Sequence, residues 1–145
     1  MRPFVIVLIG FILALWLSAG RWVFGLGGWL TLWYLPTLGL VYFLVHLWVA
    51  RRVSRTKLLG RTTSRGTKVS LIISWSTAVL AGLMIPDMHE GSLTSIASHY
   101  TGSDTALEMA IALSNTLGIV SLTLLGSAVG FAINDSRETP SYVEE

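Results

Sequence analysis

The sequence predicts an all-α fold: a polytopic membrane protein built as a four-transmembrane-helix bundle with both termini inside (N-in/C-in). Three observations carry that prediction. Only 12% of the 145 residues are charged while 52% are apolar, and mean hydropathy is +0.66; a soluble domain carries about 25% charged residues. Uncharged stretches of 18, 29, 18 and 26 residues occupy 3–20, 22–50, 69–86 and 109–134. Seven of the ten basic residues fall in one short link, 51–68.

A helix needs about 20 apolar residues to cross roughly 30 Å of hydrocarbon, and all four stretches suffice. They are too long for barrel strands and lack period-two alternation, so helices are expected. The first helix is placed at about 3–20. Its rival reading is a cleaved secretory signal ending at Leu17-Ser18-Ala19-Gly20, which the bulky Trp16 and Leu17 fit poorly. In the second stretch, Gly25, Gly27 and Gly28 each weaken a helix by about 1 kcal/mol. Residues 22–29 are therefore expected at the membrane surface, non-helical or frayed, with the spanning helix at 30–50 and a kink near Leu32 imposed by Pro36. The third and fourth helices are expected at 69–86 and 106–133. Polar links at 51–68 and 87–105 complete a single transmembrane domain over 1–134, followed by a disordered cytoplasmic tail, 135–145.

Charge sets the orientation. Lys and Arg in short loops favour the cytoplasmic side, which places the basic link and both termini in the cytoplasm of a prokaryotic cell membrane. Nine basic residues then lie inside and one, Arg21, outside. Trp22, Trp29, Trp33 and Tyr34 gather at the outer boundary and Trp48 at the inner one, as an interfacial belt requires. Trp75 lies too deep for a belt and is expected to pack against a neighbour.

Lipid provides no hydrophobic drive between helices, so close packing needs small residues at helical spacing. Gly10, Ala14 and Ser18 supply them in the first helix, Ser74, Ala78 and Gly82 in the third, and Gly118, Gly126 and Gly130 in the fourth. In the fourth helix the small residues read as two patches separated by Leu122.

Reactive chemistry is sparse. With no cysteine, disulfides, thiol catalysis and iron–sulfur clusters are excluded. No charged residue lies between the membrane boundaries, which argues against a proton-coupled transporter. His46 alone stands at membrane depth and reads as a satisfied polar residue, since a bis-histidine haem needs a second. Ser114 and Asn115, with Glu108 nearer the outer end, form a candidate polar path. In the outer link, Asp87, Glu90, His89 and His99 have the donor types for a divalent metal but lack a ligand spacing; the alternative is an acidic linker whose carboxylates pair with Arg21. The cations Arg51, Arg52, Arg55, Lys57, Arg61, Arg65 and Lys68 suit contact with anionic lipid. Nucleic acid is not expected, because no aromatic residue among them offers a stacking surface. Hydrolase, zinc-protease and phosphate-loop motifs are missing. The expected role is a non-catalytic accessory or scaffold subunit of a larger membrane complex, without cofactor. The alternative is a small channel, holin-like pore or solute carrier acting as a homo-oligomer.

Overall fold

The first helix, α1 (Pro3–Ala19), starts on a proline, whose missing N–H costs nothing in the first turn. Among residues 1–137, which the computed structural model describes, four helices are long and apolar enough to cross a membrane: Pro3–Phe24, Leu30–Leu58, Arg65–Met84 and Asp104–Asp135. Residues 138–145, most of the expected tail, lie outside the described residues.

After α1 the chain tightens into a 3₁₀ turn, Gly20–Phe24, and stops at Gly25, whose φ of 72° needs glycine. Leu26 then folds inward and is buried. The next helix is one rod in three parts: α2 (Leu30–Tyr34), a π-helical turn (Leu35–Gly39) and α3 (Leu40–Leu58). Pro36 cannot donate a hydrogen bond, and the ladder widens here to i→i+5 bonding, as from the Leu40 amide to the Leu35 carbonyl. The distortion is thus a π turn at 35–39 and not a kink at Leu32. Ser18 supports it from α1, donating to the Ala14 carbonyl (2.7 Å) and reaching the Tyr34 carbonyl (3.3 Å). Gly39 permits that approach, because a Cβ there would meet Ser18 Oγ.

α3 runs on through Arg51, Arg52, Arg55 and Lys57, so the expected basic link shrinks to residues 59–64. α4 (Arg65–Met84) begins at an N-cap, Ser64, whose hydroxyl accepts from the Thr67 amide. The outer link is ordered as well: strands β1 (Asp87–His89) and β2 (Ser92–Thr94) pair antiparallel through a Glu90–Gly91 turn with positive φ at both residues. α5 (Ile96–Thr101) follows, with Ser95 and Ser98 forming a reciprocal capping box. α6 (Asp104–Asp135) is the longest helix, about 48 Å at 1.5 Å per residue.

The four long helices form a ring in the order α1–α3–α6–α4, which sets α3 and α4 on a diagonal. Their buried positions recur every seven residues. On α4 these are Thr67, Ser74 and Ala81, with Leu71, Ala78 and, just past its end, Ile85; on α6 they are Ser114, Ser121 and Ala128, with Leu125 and Ala132. Tyr42, Val49 and Thr56 do the same on the second rod. A seven-residue repeat keeps a seam facing its partner. α6 consequently has one continuous seam in place of the two patches expected from four-residue spacing.

Of the expected packing residues, Gly10, Ala14, Ser18, Ser74, Ala78 and Gly82 are all buried. A Cβ at Gly10 would strike His46, and one at Gly82 would strike Trp16. The α6 glycines are different. Around Gly118, Gly126 and Gly130 a Cβ would meet, within 4 Å, no described atom beyond the adjacent residues and the helix's own backbone. They do not pack the bundle, because the seven-residue seam turns Gly126 and Gly130 outward.

Candidate functional site

Among the described residues, polar features interrupt the apolar bundle. Midway along it, Ser74 of α4 donates to the Ser121 carbonyl (2.8 Å) and Ser121 of α6 donates to the Ser74 carbonyl (2.9 Å). Each serine has one proton, so the Tyr42 hydroxyl must be the donor toward the serine oxygens, 3.1 Å from Ser121 Oγ and 3.3 Å from Ser74 Oγ. The cluster joins three helices and leaves no hydroxyl proton unused. One turn along, the Trp75 indole N–H donates to His46 Nε2 (3.0 Å). An indole nitrogen only donates, so Nε2 is the acceptor and Nδ1–H faces the Tyr42 carbonyl (2.8 Å). Both imidazole nitrogens are thereby engaged, which leaves His46 no lone pair for a ligand. Trp75 packs against a neighbour, as its depth suggested.

The second feature closes the end bearing the β hairpin. Arg21 Nε lies 3.4 Å from Asp87 Oδ2, with the two side chains 2% and 1% exposed. The pairing expected from charge is present, but it is buried and not part of a solvated linker. Asp87 Oδ1 accepts from the Met88 amide (2.8 Å) and the Leu30 amide (3.3 Å). Arg21 donates to the Ser18 carbonyl (3.3 Å) and its guanidinium stands 5.6 Å from the Tyr34 ring centroid. One ion pair therefore ties the 3₁₀ turn, the start of α2 and the hairpin together. Asp87 is thus committed, and among the described residues no three of His, Cys, Asp and Glu stand together as a metal site. His89, Glu90 and His99 are not gathered around it.

The third feature is a lateral pocket of about 320 Å³ between the Leu30–Tyr42 stretch and α6. Leu17, Leu38, Ile85, Ile111, Ile119 and Leu122 supply apolar wall; Tyr34, Tyr42, Ser114, Asn115 and Ser121 supply the polar groups. Ser114 and Asn115 share this cavity, while Glu108 is exposed and does not line it. Tyr42 and Ser121 close the deep end.

At the opposite, basic end, Asp135 of α6 accepts from the Ser64 amide (3.0 Å) and the Thr67 hydroxyl (2.8 Å). A carboxylate there complements the positive N-terminus of α4. Arg51, Arg55, Lys57, Arg61 and Arg65 are exposed, and Arg52 and Lys68 half-buried. The Met1 amino group lies near them: partial burial first, then repulsion from Lys68 and Lys57, lowers its pKa below the usual value.

Sequence reasoning missed Tyr42 and Ser121 as polar partners; the seven-residue steps from Ser114 to Ser121 and from Tyr42 to Val49 were the available signal. Comparison with protein-family models, with curated proteins and with solved structures finds no match to this chain.

Proposed function

We propose that the chain is a multi-pass protein of the cell (cytoplasmic) membrane that serves, without catalysis, as an accessory or scaffold subunit of a larger membrane complex. Its basic end and both termini face the cytoplasm in this reading, where Arg51, Arg52, Arg55, Lys57, Arg61, Arg65 and Lys68 meet anionic headgroups, at about 1 kcal/mol for each cation near the surface. The observation that carries the role is the open glycine face of α6. Gly126 and Gly130 are exposed with space above them, whereas Gly10 and Gly82 are filled by His46 and Trp16. Membrane helices approach one another closely where small residues allow it, so an uncovered glycine pair suits a helix from another chain. The saturated hydrogen bonds of His46, Tyr42, Ser74 and Ser121 fit a structural core better than a reaction centre.

The test is a Gly126→Leu/Gly130→Leu double variant purified from native membranes beside the parent. The expected result is loss of co-purifying membrane proteins with the thermal midpoint unchanged or raised. Unaltered co-purification would contradict the reading. A parent that isolates as a homo-oligomer alone favours the channel or carrier alternative, with Ser114 and Asn115 facing a path between copies.

A further inference from the structure

The lateral pocket has a chemistry that the scaffold role does not use. Its lining includes no Asp, Glu, Lys, Arg or His. Two of its polar side chains are uncommitted: among the described residues neither the Tyr34 hydroxyl nor the Asn115 carboxamide makes a hydrogen bond, although Arg21 lies over the Tyr34 ring. Asn115 stands six residues into the uncharged stretch 109–134, about 9 Å along the helix and below the headgroups if the bundle crosses a bilayer. An amide left in hydrocarbon without a partner is costly, and an occupant with neutral acceptor or donor groups would remove that cost. The volume lies at the lower end of the roughly 300–1,000 Å³ typical of ligand sites, which are mostly apolar with a few placed polar groups.

A second groove supplies an internal control. It lies against the same π turn, measures about 220 Å³, and is lined by Phe11, Ala14, Leu15, Leu35, Leu40 and Phe43 together with Gly39. No polar side chain faces it. The second groove therefore offers lipid an apolar surface alone, without the hydrogen-bonding groups of the first.

We propose that the lateral pocket binds a neutral, lipid-like amphiphile from the bilayer, its carbonyl or hydroxyl groups held by Asn115 and Tyr34 and its apolar body lying against Leu38, Ile119 and Leu122. The proposal rests on the bilayer reading above and is independent of the partner complex. Formal charge is disfavoured in the ligand because nothing in the lining compensates it.

The experiment is photolabelling of the full chain in phosphatidylcholine nanodiscs, with a diazirine-bearing diacylglycerol as probe. A diazirine-bearing phosphatidylglycerol with the same chains serves as the anionic comparison, and adducts are mapped by peptide mass spectrometry. Diacylglycerol label is expected to concentrate on Leu38, Ile119 and Leu122 over the exposed Leu8 and Ile72, with no such concentration for phosphatidylglycerol. Asn115→Leu should lower pocket label by about threefold to tenfold, the effect of one hydrogen bond. Gly118→Phe, at a lining position where an added Cβ has open space around it, should fill the pocket and abolish its label while leaving the second groove unchanged. Label spread evenly over exposed positions, equal label from the anionic lipid, or pocket label indifferent to both variants would overturn the proposal. Absence of label from every exposed apolar position, the pocket included, would overturn the bilayer reading beneath it, and the proposal with it.

Discussion

The inward and outward faces of α6 use the same small residues for different ends. Inward, Ser114, Ser121 and Ala128 recur every seven residues and are buried against the ring. Outward, Gly126 and Gly130 are four apart and meet nothing within the described chain. A small residue is therefore no sign of internal packing by itself; its register against the seven-residue seam decides. Four residues advance about 400° around a helix and drift off a face, whereas seven advance about 700°, only some 20° short of two full turns. Small residues in the drifted positions are left for lipid or for another chain.

That contrast can be broken most severely where the inward side holds charge. Asp87→Ala strands a buried guanidinium, and unfolding in detergent should show a loss of about 3–5 kcal/mol. An Arg21→Met/Asp87→Leu double variant should recover much of it, since the pair itself is worth little against apolar replacement. Next comes overpacking. Gly82→Leu drives a side chain into Trp16 and should cost about 1–3 kcal/mol in the same assay. Smaller still is the serine clasp: a double-mutant cycle of Ser74→Ala and Ser121→Ala should return a coupling of about 0.6–1.7 kcal/mol. The smallest effect belongs outside. Gly126→Leu should leave the monomer within about 1 kcal/mol of the parent, on the stabilising side, because a helical glycine is replaced where there is room. Equal costs at Gly82 and Gly126 would erase the distinction between the faces.

The apolar helices were legible in the residues because uncharged length alone decides whether a helix can span. Their ends were less so: α3 continues to Leu58 because Arg and Lys are good helix formers, although their charge marks them as a link. Pro36 announced a distortion without saying that a π turn would absorb it. The Arg21–Asp87 pair was visible as charge complementarity, but its burial was not, since that depends on Gly28, where a Cβ would meet Asp87, and on a hairpin folding over it. The His46–Trp75 bond joins diagonal helices and needed the ring order of the bundle. The lateral pocket was half legible: Ser114 and Asn115 stood out, whereas Tyr34 and Tyr42 reach it from a segment far away in sequence.

The proposed function depends on the bundle crossing a bilayer with its basic end in the cytoplasm. The chain has no cysteine, so single cysteines can report each end directly. Thr62→Cys stands exposed between α3 and α4, and Ser92→Cys stands exposed on the hairpin. In intact cells a membrane-impermeant maleimide is expected to modify the cysteine at position 92 at once and that at position 62 only after permeabilisation. Modification in the reverse order, or of both sites before permeabilisation, would contradict the account.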